Sequence, residues 1–245
     1  MPAEPPAGGA TLRDAWEAEA AGWIAWARSP GTDHFFWRFS LPALLDLVPP
    51  PGRLTVEIGC GEGRVARELG ARGHRVVGIE GSPTLAEAAR EADPGFEVHV
   101  ADAQAMPLDD GAADLVVASM MLLNVDDLDA VVGEVARVLG PGGRFAFSTV
   151  HPANSLKPLG DFEVAGGSYF ATYTYAETRE RGGLRMTFHD THRPLGDYFG
   201  ALERAGLLVE ALREPAPDDA YVADHPEVER WRRAPAFVLV RARRP

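Results

Sequence analysis

The sequence predicts an α/β protein with a mostly parallel sheet covered by helices on both faces, on the strength of three observations. Strand-like and helix-like segments alternate from residue 53 to about 150, the order that crossover connections between parallel strands require. An apolar strand enters a helix through Gly59, Gly61 and Gly63, a loop whose missing Cβ atoms let a ligand approach the backbone. Glu57, Glu80 and Asp102 stand at the ends of successive strands, and the carboxyl ends of strands form the ligand crevice of an open α/β sheet.

Each element has its own signal. Residues 12–29 place Trp16, Trp23, Ile24 and Trp26 near one helical face. Residues 35–48 read as a second helix, ended by Pro49-Pro50-Pro51-Gly52 ahead of a first strand at 53–58. A helix over 64–73 turns Val65, Ala66 and Leu69 inward, a second strand over 75–79 closes at Glu80, and Ser82-Pro83 starts the next helix. A third strand, 96–100, leads to Asp102, and a fourth covers 114–118. Helix 126–139 begins behind acidic residues, and Gly140-Pro141-Gly142-Gly143 turns it into a fifth strand over 144–150.

Residues 151–192 interrupt the return to the sheet. Tyr169, Ala171, Tyr173 and Tyr175 alternate, as do Leu184, Met186 and Phe188 beyond Arg181-Gly182-Gly183, which predicts a hairpin or two added strands. Its aromatic face either roofs a substrate or packs on the domain. A helix over 194–205 and strands over 207–212 and 236–241 complete the chain.

At 245 residues and 46% hydrophobic content the chain can bury one large core, so we expect a single domain over 1–245. It divides into an N-terminal helical segment (1–50), a cofactor-binding core (51–150), a substrate-side insertion (151–192) and a C-terminal helix with antiparallel strands (193–245). A formal net charge of −12, with Lys157 the only lysine, argues against a nucleic-acid partner, because phosphate contacts need clustered cations. Arg241, Arg243 and Arg244 read as a solvated chain end. Residues 1–10 lack the apolar stretch of a secretory signal and no run reaches membrane-spanning length, so a cytoplasmic protein without membrane contact is expected, as monomer or homodimer. A lone Cys60 makes no internal disulfide, and no Cys/His grouping suggests a metal.

The glycine spacing selects the cofactor. Dinucleotide loops read G-x-G-x-x-G, whereas Gly59, Gly61 and Gly63 are evenly spaced, and an acid two residues ahead favours a cationic ligand. From Glu57 to Gly63 the chain resembles the class I S-adenosylmethionine-dependent methyltransferases, whose first motif is acid-x-Gly-x-Gly-x-Gly; within them it looks like the small-molecule, type 11-like group. The run Arg137-Val138-Leu139-Gly140-Pro141-Gly142-Gly143 is similar to the same family. Glu80, 23 residues after Glu57 (80 − 57), stands where an acid accepts from ribose hydroxyls.

The resemblance implies a Rossmann-like seven-stranded sheet of order 3-2-1-4-5-7-6 and an N-terminal helix lying over the crevice as a lid. It implies S-adenosylmethionine as cofactor, with Glu57, Gly59, Gly61 and Gly63 at the methionine half, Glu80 at the ribose, Asp102-Ala103 at adenine, and Ser119 and Met120 beside the methionine half. Cys60, Arg64, Gly81, Ser82 and Gln104 are expected among the cofactor-binding residues as well. The expected reaction is in-line transfer of a methyl group to an O-, N- or C-nucleophile of a small molecule; a noncatalytic binder of the cofactor and an NAD-dependent oxidoreductase are the alternatives. The family has no universal catalytic residue. His151, at the end of the fifth strand, is the candidate base, and Trp23, Tyr169, His189, His192 and Arg193 are candidate substrate residues.

Overall fold

The computed structural model describes residues 11–29, 31–155 and 168–245. The segment 1–10, Lys157 and part of the substrate-side insertion lie outside them. The first helix, α1 (Leu12–Arg28), starts with a capping box in which the Thr11 hydroxyl accepts from Asp14 N–H and the Asp14 carboxylate accepts from Thr11 N–H.

The predicted helix over 35–48 is instead a π-helical turn, Phe36–Ser40, running into the short α2 (Leu41–Leu45). Leu41 N–H bonds the Phe36 carbonyl five residues back. Pro42 has no N–H to continue the four-residue ladder, so the wider turn falls just before it.

The remaining elements follow the predicted order: β1 (Thr55–Ile58), α3 (Arg64–Ala71), β2 (Val76–Glu80), α4 (Pro83–Ala92), β3 (Glu97–Val100), β4 (Ala113–Ser119), α5 (Leu128–Val138), β5 (Leu139–Val150), α6 (Pro152–Ser155), β6 (Tyr173–Arg181), β7 (Leu184–His192), α7 (Leu195–Arg204), β8 (Leu208–Arg213), α8 (Asp219–Asp224) and β9 (Phe237–Arg243); the two short helices among them, α6 and α8, are additions to the predicted set. β5 begins earlier than predicted. Leu139 already pairs with Ala113, so the Gly140–Gly143 turn is drawn into the ladder, with an irregularity between Ala113 and Leu115.

The sheet has the order β3-β2-β1-β4-β5-β9-β8, with β9 antiparallel to β5 and β8. This is the implied 3-2-1-4-5-7-6, since β8 and β9 are its sixth and seventh strands in chain order. One face packs through Val56, Val116, Phe145 and Phe147 against Val131, Val135 and Leu202 of α5 and α7. The other packs through Leu115, Val117 and Leu239 against Val65 and Leu69 of α3, Phe39 and Leu44 ahead of the first strand, and Trp231 near the C-terminus.

β6 and β7 form a separate two-stranded antiparallel sheet joined at Gly182-Gly183, the hairpin predicted by the alternating apolar residues. α1 bridges the two sheets. Trp16 Nε1 donates to the His189 carbonyl of β7 (3.0 Å), while Glu17 accepts from the Ser82 and Thr84 hydroxyls at the start of α4. Among the described residues no helix is long and apolar enough to cross a membrane.

Candidate functional site

The carboxyl ends of β1, β2 and β4 open into a crevice, and the backbone shapes it first. Gly59 takes φ +63, and a Cβ there would lie 2.7 Å from Met121 Cβ, so only glycine fits. A Cβ on Gly61 (φ +57) would come within 3.3 Å of Trp23 Nε1, which places α1 directly across the loop as a lid. At the far wall Met120 holds φ +55, a left-handed conformation costly for a non-glycine residue and concentrated at functional sites.

Glu57 is 1% exposed and borders the crevice, and its Oε2 has no hydrogen-bond partner. Burial first, then the neighbouring Glu80, hold its carboxyl well above the usual range. A cation entering the crevice removes that penalty, because an opposite charge at short range favours the ionised form. Glu80 accepts from Gly61 N–H through Oε2 (2.7 Å) and from Ser82 N–H through Oε1 (2.9 Å); burial raises its pKa as well. Each oxygen keeps a further lone pair for ligand hydroxyls. The Cys60 thiol is pushed up by burial and by both acids, consistent with a space-filling role.

All the predicted cofactor-side residues except Gly63 border this crevice. Gly63 instead takes φ +84 at the start of α3, facing Ala89 and Phe96. Glu62, also on the crevice wall, pairs with Arg28 (3.0 Å) and Arg67 (2.8 Å). Arg64 borders the crevice but pairs with Asp33 at 2.7 Å and stacks 3.5 Å above Phe36. Asp102 accepts from Gln104 N–H at 2.9 Å. Trp16 joins the wall from the predicted tryptophan face, and Arg13 and Asn124 join it without a sequence signal of their own; Arg13 Nε donates to the Gly81 carbonyl at 2.9 Å.

Beyond Trp16, Arg64, Met120 and Asn124, which border both spaces, lies a second cavity of about 910 Å³ including its open mouth. Its walls carry Trp26, Phe35, Phe36, Phe188, Trp231 and Phe237, with Asp190 and Asn124 inside and Arg179, Arg181 and Arg230 at charged positions. Phe188 meets Trp16, Trp23 and Trp26 edge-on, so the hairpin and the lid form one aromatic wall.

Of the predicted substrate residues, Trp23 borders the crevice, while Tyr169, His189, His192 and Arg193 border neither space. His192 Nε2–H donates to the Tyr169 carbonyl (3.0 Å), and its Nδ1 accepts from the Ser155 hydroxyl (2.8 Å). Arg193 holds the Leu122 and Val125 carbonyls (3.1 and 2.5 Å), fixing the turn after β4. The Tyr169 hydroxyl accepts from Leu195 N–H, and the His189 carbonyl accepts from Trp16 and Asn124.

The candidate base His151 also borders neither space. Its Nδ1 accepts from Ala153 N–H (3.0 Å), its Nε2 lies 3.0 Å from Glu214 but off the hydrogen-bonding direction, and burial lowers its pKa. Apart from these spaces, His34, His225 and Glu227 bring donor atoms within 4.8 Å of one another, a grouping hidden by their separation in sequence.

A glycine-rich loop and buried acids at the carboxyl ends of a mostly parallel sheet are the arrangement of nucleoside-binding α/β proteins. Residues 56–147 match the family model described as a methyltransferase domain. Malonyl-acyl-carrier protein O-methyltransferase from Serratia marcescens is 35% identical over 111 residues, 45% of this chain and 43% of that protein, so the chain spans under half the length of that relative. Nocamycin O-methyltransferase from Saccharothrix syringae is 35% identical over 192 residues, 73% of this chain and 68% of that protein. An S-adenosylmethionine-dependent methyltransferase from Mesorhizobium loti superimposes with a TM-score of 0.68 at 30% identity, over 83% of this chain and 96% of that one. The chain belongs to the class I S-adenosylmethionine-dependent methyltransferases.

Proposed function

We propose that the protein transfers a methyl group from S-adenosylmethionine to a small molecule held in the second cavity. The observation that carries this reading is the buried, unpartnered Oε2 of Glu57 on the crevice wall, a group whose charge a cationic ligand stabilises. Glu57, with the open backbone at Gly59 and Gly61, would hold the aminoacyl half; Glu80 would take the ribose hydroxyls, and Asp102 with Ala103 would face adenine. When bound, the cofactor supplies a methyl group made electrophilic by a sulfonium.

The protein's own task is then positioning and exclusion of water, effects that dominate when the electrophile is already activated. Trp16 and Trp23 cover the crevice from α1, and Trp16, Arg64, Met120 and Asn124 form the border across which an acceptor meets it. The relatives support the reaction type: the malonyl-acyl-carrier protein and nocamycin enzymes are both O-methyltransferases by name. No role as base is assigned to His151, which faces Ala153 and Glu214 instead of either cavity.

Calorimetry with S-adenosylmethionine, S-adenosylhomocysteine and NADH tests the cofactor. Both sulfur nucleosides should bind and NADH should not. Glu80→Ala, which removes charge-assisted hydrogen bonds, should weaken S-adenosylhomocysteine about 10- to 100-fold. Binding of NADH alone, or unchanged nucleoside affinity in Glu80→Ala, rejects the assignment.

A further inference from the structure

Resting on that reading, we propose that the acceptor is an apolar, ring-bearing molecule with a weakly acidic hydroxyl, a phenol or enol, and that Asp190 is the base that takes its proton. Asp190 lines the second cavity and is half-buried. Asn124 Nδ2 donates to its Oδ1 at 2.8 Å and to the His189 carbonyl at 2.8 Å, and Asn124 itself borders the cofactor crevice. The carboxylate therefore stands one hydrogen bond from the wall across which the methyl group must pass.

The surroundings select an oxygen nucleophile. From β6, Tyr175 sits opposite Asp190 in register, and Glu177 and Arg179 contribute charges of opposite sign. α1 presents only the indoles of Trp16 and Trp26 to the cavity, and the turn after β4 presents Asn124. Arg64 is matched by Asp33 (2.7 Å) and Arg179 by Glu177 (3.1 Å). Arg181, stacked 4.6 Å from Phe35, and Arg230, 5.8 Å from Trp231, form no ion pair with a carboxylate among the described residues. Beyond these pairs Arg181, whose Nη1 also donates to the Thr32 carbonyl at 2.7 Å, and Arg230 add positive charge to the lining, a balance that resists an ammonium acceptor and stabilises negative charge developing on oxygen. Seven aromatic side chains line the space that takes the ring.

Burial, opposed by the hydrogen bond from Asn124, raises the Asp190 carboxyl to about 6. It is ionised at neutral pH yet basic enough to accept a proton, the match that general-base catalysis favours. The hydroxyl proton passes to Asp190 while the oxygen's electron pair forms the new C–O bond, the methyl C–S bond breaks onto sulfur, and the proton then leaves Asp190 for solvent.

The test compares wild type with Asp190→Asn, both saturated with S-adenosylhomocysteine and titrated with 2-naphthol, a phenol that stays neutral across about pH 5 to 8. In wild type the affinity should rise about tenfold with pH as Asp190 ionises and accepts the hydroxyl's hydrogen bond. Asp190→Asn should bind S-adenosylhomocysteine within about threefold of wild type, show a flat 2-naphthol profile, and lose about 100-fold or more in methyl transfer to a hydroxyl acceptor. A flat profile in wild type, a preserved rise in Asp190→Asn, or no 2-naphthol binding by the S-adenosylhomocysteine complex overturns the proposal. Failure of wild type to bind S-adenosylhomocysteine at all instead overturns the cofactor reading beneath it.

Discussion

The cofactor crevice and the acceptor-side cavity share a wall but are built in opposite ways. The crevice is mainly a product of backbone: left-handed glycines, N–H groups held by Glu80, and an unpartnered acid, supplied largely by the consecutive strand ends from Glu57 to Asp126. The cavity is a product of side chains, gathered from α1, the π-helical turn, the hairpin and the C-terminal segment around Trp231. A ligand common to many proteins can be held by geometry that a short motif specifies, whereas a particular acceptor requires side chains from distant parts of the chain. The two regions should therefore fail independently when mutated.

The largest separation is expected from Gly59→Ala. Its Cβ would meet Met121 and the left-handed backbone would resist it, so S-adenosylhomocysteine affinity should fall about 100-fold or more by calorimetry. Once S-adenosylhomocysteine is raised to saturate the variant, acceptor-side binding should survive; its loss even then would mean that the spaces are one site. Trp231→Ala is the reciprocal change. Removing this buried ring should cost about 3 kcal/mol of stability in thermal or denaturant unfolding, while nucleoside affinity stays within about threefold.

Glu57→Gln sharpens the contrast through stability. Because the native state raises the carboxyl's pKa, its stabilising contribution is complete below the unfolded-state value and is lost as pH rises through the native one. Above the unfolded-state value, and so at pH 7, this carboxyl burdens the ligand-free protein, so Glu57→Gln should melt about 2–4 °C higher without ligand. That advantage should vanish at acid pH, and S-adenosylhomocysteine should stabilise the variant less than wild type. The smallest effect belongs to the lid. Glu17→Ala removes the acceptor of the Ser82 and Thr84 hydroxyls and should speed nucleoside release a few-fold, seen by stopped flow, with faster amide exchange in α1.

The same division explains what could be read from the sequence. Glycine spacing and strand-end acids act within a few residues of one another, so the crevice was legible in chain order; the alternating hairpin was legible because a strand's period of two is local. The π-helical turn was not, since helical periodicity does not register the ladder shift imposed by Pro42. His151, His192 and Arg193 drew notice by residue type, yet the fold gives each a carbonyl, hydroxyl or carboxylate neighbour of its own. Asp190 had a usable signal: it alternates in phase with Phe188 and His192, but only the packing of Asn124 and α1 shows that this face closes on a cavity.

The bond from Trp16 to the His189 carbonyl has a kinetic consequence. The helix over the nucleoside is also a wall of the acceptor space, so swinging it aside to exchange nucleosides dismantles the place where the second substrate sits. Turnover should follow a compulsory order, with the nucleoside first to arrive and last to depart. Methylated product should then compete with the acceptor only for the nucleoside-bound enzyme, while S-adenosylhomocysteine competes directly with S-adenosylmethionine for the free protein.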